Sequence, residues 1–230
     1  MAETPRFAHF VILVLVGAEL GAVVSAVALL FGLAARRQLV ARLAASALGA
    51  IVFGYAAVLL GVGAFSRQHV LAPGEWKYFC EADCHIAYSI SGVRQVAPAE
   101  GAPAATLAGD RRIVVRVTTW FDPHSIAPWR GNGPLSPGHR SVVLMDSAGH
   151  IYPPLSPGAA GASPASTPLA TPLRPGQTYS TDFAFDVPPA AQNLRLWIGD
   201  TASYTRFVID QENSPFHGKI LLALNEAMPL

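Results

Sequence analysis

Residues 43–65, which read LAASALGAIVFGYAAVLLGVGAF, contain no charged side chain. A helix needs about 20 apolar residues to cross the hydrocarbon core of a bilayer, and this run is long enough. A second run, from Phe7 to Ala35, contains Glu19 as its only fully charged residue. That run is longer than the apolar region of a signal peptide, which has about 7–15 residues. The two runs therefore predict two transmembrane helices that form a hairpin within residues 1–70.

The short stretch between the two runs carries Arg36, Arg37 and Arg42. Basic residues in short loops mark the cytoplasmic side of a membrane protein. We therefore expect this arginine loop in the cytoplasm of a bacterium. Both termini and the C-terminal domain are then expected on the periplasmic side of the inner membrane.

The composition excludes two large classes of protein. Of the 230 residues, 51% are hydrophobic and 13% are charged, with a formal net charge of +1. The mean hydropathy is +0.35. Disordered chains need low hydrophobicity, and nucleic-acid binders need a basic surface. The chain is thus expected to contact the lipid bilayer and other integral membrane subunits, and no nucleic acid.

Small residues are frequent in both apolar runs. Gly17 and Gly21 form a Gly-xxx-Gly pair, and Gly49 and Gly54 lie in the second run. Such residues let helices approach closely in lipid, so they predict packing within the hairpin or against other membrane subunits. Glu19 costs about 2.5–3.5 kcal/mol at the centre of a spanning helix. It is interpreted as a polar packing lock, with a proton relay as the alternative.

Beyond a short linker at residues 71–76, the hydrophobic pattern changes to period two. Residues 77–230 are predicted to form an antiparallel β-sandwich, because short alternating runs are separated by turn residues. The predicted strands lie near residues 86–90, 113–117, 141–145, 150–152, 183–187, 194–198, 207–209 and 220–224. The stretch from Pro153 to Pro175 is rich in Pro, Ala and Ser and predicts a long loop, either a partner-contacting arm or plain flexible chain.

Part of this pattern resembles a known class of domain. A Pro-Gly turn at Pro175-Gly176 opens a strand, Val187-Pro188 closes it, and a Leu-x-Leu strand follows at Leu194–Leu196. Over about residues 110–210 this resembles bacterial membrane-anchored immunoglobulin-like β-sandwich domains. The resemblance implies a domain for binding, protection or assembly at the cell surface rather than for catalysis.

Cys80, Cys84 and His85 form the one cluster with distinctive chemistry. The two cysteines suggest a disulfide in an oxidising compartment, which requires a turn between them because strand positions four apart lie about 13 Å from each other. Two thiolates and an imidazole also suit copper or zinc. A Cys-x-x-x-Cys-His string is a variant of the c-type haem attachment site. Two free thiols complete the alternatives.

The sequence contains no common catalytic string, so we expect no enzyme and no obligatory cofactor. The favoured hypothesis is an accessory or scaffolding subunit of a larger membrane complex of respiratory or photosynthetic type. Electron transfer or metal handling through Cys80, Cys84 and His85 is the first alternative. A surface ligand-binding module is the second. Trp120, Trp129 and Trp197 are candidates for a partner-contact patch.

Overall fold

The computed structural model describes residues 8–79, 85–96, 111–125, 130–138, 140–156 and 166–224. The chain divides into two compact units. One unit contains residues 7–67 together with residues 202–218, and the other contains residues 68–201 together with the chain from residue 219 onward. The units are described separately below.

The first unit is built on two long helices, α1 (Ala8–Ala34) and α2 (Gln38–Phe65). Both are long and apolar enough to cross a membrane. The three residues between them make a tight turn in which Arg36 adopts a positive φ of 51°. Arg42 lies in the first turns of α2, so the predicted arginine loop is shared between the turn and the helix.

A short irregular segment completes this unit. Residues 202–218 pack on the C-terminal part of α2 and include a 3₁₀ helix, Ser203–Phe207. The predicted strand at residues 207–209 is wrong, because this chain turns over the helix instead of joining a sheet. The prediction placed all of residues 77–230 in the sandwich. In the structure, residues 202–218 belong to the helical unit, although they lie between two sandwich strands in sequence.

The second unit is a two-sheet β-sandwich. Its described strands are β1 (His69–Leu71), β2 (Lys77–Phe79), β3 (Ile86–Val96), β4 (Arg111–Phe121), β5 (Arg140–Met145), β6 (Ile151–Tyr152), β7 (Thr178–Val187), β8 (Arg195–Asp200) and β9 (Ile220–Ala223). One sheet has the order β1-β9-β8-β5-β6 and the other β2-β3-β4-β7. The predicted sandwich is therefore confirmed.

Two details differ from the expected layout. The strand β1 pairs in parallel with β9, so the sandwich is not antiparallel throughout. Because β1 starts at His69, the chain joins the sheet before the predicted linker at residues 71–76. Three residues are too few to produce a period-two pattern, which explains why this strand escapes prediction.

The core lies between the two sheets and follows from the alternation along each strand. Ile113, Val115 and Val117 of β4 face Leu196 and Ile198 of β8, and all five are buried. Part of the Pro153–Pro175 loop also packs onto the domain. Thr167 donates its N–H to the Ser180 carbonyl, and Leu173 pairs with Leu135. Residues 166–175 are thus fixed on the sandwich, while 157–165 lie outside the described residues.

Candidate functional site

The cluster of polar side chains around Asp122 lies where β4 ends, next to the predicted cysteine site. The Asp122 carboxylate accepts hydrogen bonds from the Tyr78 hydroxyl at 2.9 Å and from the His124 backbone N–H at 2.8 Å. The ring of His85 is buried, stacks on Phe121 with centroids 5.4 Å apart, and places Nδ1 3.1 Å from Ser125 Oγ. Cys80 and Cys84 lie outside the described residues, so their predicted disulfide, metal or haem chemistry stays a prediction.

The hydrogen-bond directions in this Asp122 cluster indicate what it can do. Ser125 Oγ donates to the Asp122 carbonyl at 3.0 Å, so towards His85 it acts as acceptor and Nδ1 of His85 carries the hydrogen. Burial and the bond to Asp122 raise the pKa of Tyr78 to about 12, which keeps its hydroxyl a donor. Ser125 and His85 are therefore not arranged as a nucleophile and its base. The cluster instead fixes the turn after β4.

A second group of charged side chains connects the two sheets. Lys77, on β2, donates from Nζ to the carbonyls of Ile198 and Ile220 in the other sheet, at 2.7 and 2.8 Å. The Arg140 guanidinium lies 4.1 Å from the ring centroid of Phe79 and donates to Asp200 at 2.6 Å. These groups are buried and bonded, which assigns them to holding the sheets together.

The helix hairpin presents its glycines in two different ways. A Cβ at Gly32 would lie 2.7 Å from the backbone nitrogen of Ala41, and one at Gly21 would lie 3.1 Å from Ile51 Cδ1. These two glycines face the other helix. At the predicted packing residues Gly17, Gly49 and Gly54, an added Cβ would have no described atom within 4 Å. The hairpin contact thus uses Gly21 and Gly32 and leaves the other three positions open.

Glu19 is exposed on α1 and lies close enough to Tyr55 of α2 for an electrostatic interaction. The Tyr55 hydroxyl donates its hydrogen to the Phe207 carbonyl at 2.5 Å, so it does not donate to Glu19. Gly21, two residues later, faces Ile51 of α2, so the exposed Glu19 lies about 200° around the helix from that contact.

Segment 202–218 is attached to α2 at three levels. The Phe207 carbonyl bonds to Tyr55, the Pro215 carbonyl lies directly against the Cα of Gly63, and the Gly218 N–H donates to Ser66 Oγ at 2.5 Å. Any side chain at Gly63 would overlap Pro215. Sequence reasoning missed this contact. The available signals were the aromatic residues and the Pro215-Phe216 turn, which break the strand pattern.

The predicted tryptophan patch is not brought together. Trp120 and Trp197 both have the outward parity expected from their strands, but they lie on different sheets, β4 and β8. Trp120 packs on Trp76 with ring centroids 5.2 Å apart, while the Lys219 ammonium lies 3.8 Å from the Trp197 ring. Trp129 lies outside the described residues. Partner contact by these rings stays a prediction.

Comparison with known proteins identifies no family for this chain. No protein-family model matches the chain, and no curated protein matches it. Among solved structures, the secreted protein MPT63 of Mycobacterium tuberculosis is 11% identical with a TM-score of 0.42, and the alignment covers 68% of this chain and 98% of that one. The yjhA protein of Bacillus subtilis is 17% identical with a TM-score of 0.39, covering 69% and 100%. An uncharacterised β-sandwich protein of Clostridium difficile is 10% identical with a TM-score of 0.38, covering 70% and 96%.

Proposed function

We propose that this protein is a membrane-anchored accessory subunit of a larger membrane complex, with an immunoglobulin-like sandwich on the periplasmic side. The observation that carries the proposal is the exposure of both long helices. Among residues 10–34 only Gly32 is buried, and in α2 the buried residues are Ala41, Ala44, Leu59 and Gly63. Helices that are this apolar and this exposed need lipid or partner helices around them. A core helix of a soluble protein differs, because its own chain covers its apolar side chains.

The position of Glu19 favours a partner subunit over lipid alone. A carboxyl group facing hydrocarbon is costly and is normally covered by protein or water. Glu19 is exposed on a helix whose neighbouring Gly17 also has open space around it. Because residues two apart on a helix point about 200° away from each other, a partner contact at Glu19 would be separate from one at Gly17.

The experiment is gentle purification in mild detergent followed by a mass-spectrometric inventory of what co-purifies. We expect a reproducible set of membrane subunits with the natural chain. Gly17→Leu and Gly54→Leu leave the hairpin contact intact, because open space surrounds both positions, and are expected to lose those subunits. Val24→Leu, at a position that is already bulky and exposed, is the matched control and should retain them.

The inventory distinguishes this function from its alternatives. A monodisperse species without partners in mild detergent would contradict an accessory role. A visible absorption band or a stoichiometric metal that is lost on replacing Cys80 and Cys84 by Ser would favour electron transfer or metal handling.

A further inference from the structure

Segment 203–216 has three aromatic side chains that are largely exposed. The exposed fraction is 57% for Tyr204, 62% for Phe207 and 77% for Phe216. Arg206 lies between the first two and is also exposed. Aromatic rings next to a basic residue are typical of the boundary between lipid headgroups and acyl chains, where a ring is half wet and the cation meets phosphate.

The attachment to α2 determines the depth of this segment. α2 has 28 residues, which is about 42 Å at 1.5 Å per residue, while the hydrocarbon core is about 30 Å thick. If the core begins between Gln38 and Leu43, it ends about 20 residues later, between Val58 and Val62. The Phe207 carbonyl is bonded to Tyr55, which lies below that boundary. The segment therefore reaches about 5–10 Å into the hydrocarbon core, measured from the outer boundary of the core, as interfacial elements do.

The hydrogen bonding of the segment suits this position. Backbone groups near hydrocarbon must be satisfied within the protein, because no water is available there. Thr205 is buried, donates from Oγ1 to the Ala202 carbonyl at 2.6 Å, and accepts from Asn213 Nδ2 at 2.9 Å. The Phe207 carbonyl accepts from Tyr55, and Ser214 Oγ donates to the Gln211 carbonyl at 2.7 Å. The polar groups that are buried, Thr205 and Ser214, are thus bonded within the segment, while the three aromatic rings are exposed.

Phe216 gives a second, independent indication. Its φ of 64° lies in the left-handed region, which is unfavourable for a bulky residue and normally taken by Gly or Asn. The strained turn holds a large apolar ring away from the protein, with 77% of the residue exposed. Strain of this kind persists where the exposed group has a use.

We propose that segment 203–216 is a lipid-contact element whose aromatic rings, Tyr204, Phe207 and Phe216, enter the outer leaflet beside the C-terminal half of α2. The ligand is a phospholipid bilayer: acyl chains receive the rings, and phosphate groups receive Arg206. This inference rests on the membrane anchoring in the proposed function. It adds that the chain between β8 and β9 is itself held by the membrane.

The test uses the full-length protein in lipid-only vesicles containing lipids brominated near the headgroup or near the chain end. Bromine quenches tryptophan at short range. Three single variants are compared with the parent chain, whose own four tryptophans give a constant background. Phe207→Trp reports on the segment, Phe53→Trp on the middle of α2, and Ile151→Trp on an exposed apolar residue of the sandwich. Their parent residues are 62%, 77% and 59% exposed.

The three variants separate this inference from the proposed anchoring. We expect deep bromine to remove most of the emission added by Phe53→Trp, shallow bromine to remove most of that added by Phe207→Trp, and neither to affect that of Ile151→Trp. If Phe53→Trp is quenched while Phe207→Trp is not, the lipid contact is overturned and the anchoring stands. If neither is quenched, the anchoring fails as well. Unchanged hydrogen exchange in residues 203–218 of Phe207→Trp confirms that the segment is intact.

Discussion

Gly63 is a position in α2 where only a residue without a side chain fits. The backbone of Pro215 occupies the volume that a Cβ at Gly63 would need. Gly61 lies two residues earlier on α2. A Cβ added there would have no described atom within 4 Å. The two glycines are alike in sequence context, yet only Gly63 provides the close approach on which segment 202–218 depends.

This difference gives the first prediction. Gly63→Ala forces the Pro215 backbone away, and overpacking of this kind costs about 1–3 kcal/mol. The segment is then expected to open more often, so hydrogen exchange measured by mass spectrometry should rise in residues 203–218. Gly61→Ala is the control and should exchange like the natural chain. Equal protection in both variants would contradict the close contact.

His217 carries the second prediction, which concerns pH. Its Nε2 lies 3.1 Å from Asp210 Oδ1 and its Nδ1 lies 2.7 Å from the Gly218 carbonyl. Both partners are acceptors, so the ring makes both bonds only when both nitrogens carry hydrogen. The hydrogen bond to Asp210 is the main cause that raises the pKa of His217 above its usual 6.5, while burial opposes it.

The sign of the effect follows from linkage. A raised pKa in the folded state means that the stabilisation is fully present below about pH 6.5 and is lost as the pH rises through the higher folded value. Protection of residues 210–218, corrected for the intrinsic exchange rate, should therefore fall as the pH increases above 6.5. Asp210→Asn should flatten this dependence. A profile that is the same in both proteins would argue against the His217–Asp210 pair.

At the scale of elements, β4 and β7 are joined by two charged pairs as well as by their backbone. Arg116 bonds to Asp182 and Arg112 bonds to Asp186, each through two nitrogen–oxygen contacts of 2.7–3.0 Å. The residues of each pair are direct partners in the strand register. The Asp182 side chain is 1% exposed and the Asp186 side chain 17%.

The difference in burial gives the third prediction. Removing one partner of a buried pair typically costs about 3–5 kcal/mol, because the other charge is left uncompensated. The guanidinium left behind is 6% exposed in Asp186→Asn, where it is Arg112, and 31% exposed in Asp182→Asn, where it is Arg116. Asp186→Asn should therefore lower the free energy of unfolding towards that range, and Asp182→Asn should lower it less. Urea unfolding of the full chain in micelles, followed by tryptophan fluorescence, measures both.

A compensated variant tests the cause of that loss. Replacing the pair together, by Arg112→Met with Asp186→Leu, removes both charges and should recover much of the lost stability. Failure of the double variant to improve on Asp186→Asn would indicate that the carboxylate has another role.

The elements also show where sequence patterns suffice. The alternation in residues 113–117 and 194–198 is long enough to predict both strands and their inward faces, and the uncharged runs predict both helices. The strand predicted at residues 207–209 fails because Phe207 and its neighbours pack on α2, and no local pattern records a contact with Tyr55, more than a hundred residues away in sequence. Likewise, Gly17, Gly21 and Gly54 look equivalent in sequence, while only the helix–helix geometry tells which of them face inward.

At the scale of the whole molecule, the chain passes between its two units three times within residues 8–224, the span that contains the described residues. It leaves the hairpin after residue 67, returns at residue 202 and leaves again after residue 218. The sequence of the second unit is therefore interrupted by segment 202–218. Each end of this segment continues directly into the chain of the second unit. Deleting the segment would thus remove a part of the helical unit and not a simple surface loop.

The orientation of this path gives the last prediction. Arg36, Arg37 and Arg42 lie together at the turn between the helices, and basic residues in short loops stay in the cytoplasm. Alkaline phosphatase, which folds only outside the cytoplasm, should be active when fused after residue 230, and a fluorescent protein fused there should stay dark if it is exported unfolded. Replacing the three arginines by Gln while adding three Lys before residue 7 should reverse both signals, because the charge bias is then inverted. Addition of the Lys residues alone is the control. Phosphatase activity that is unchanged by the full inversion would show that the arginines do not determine the orientation.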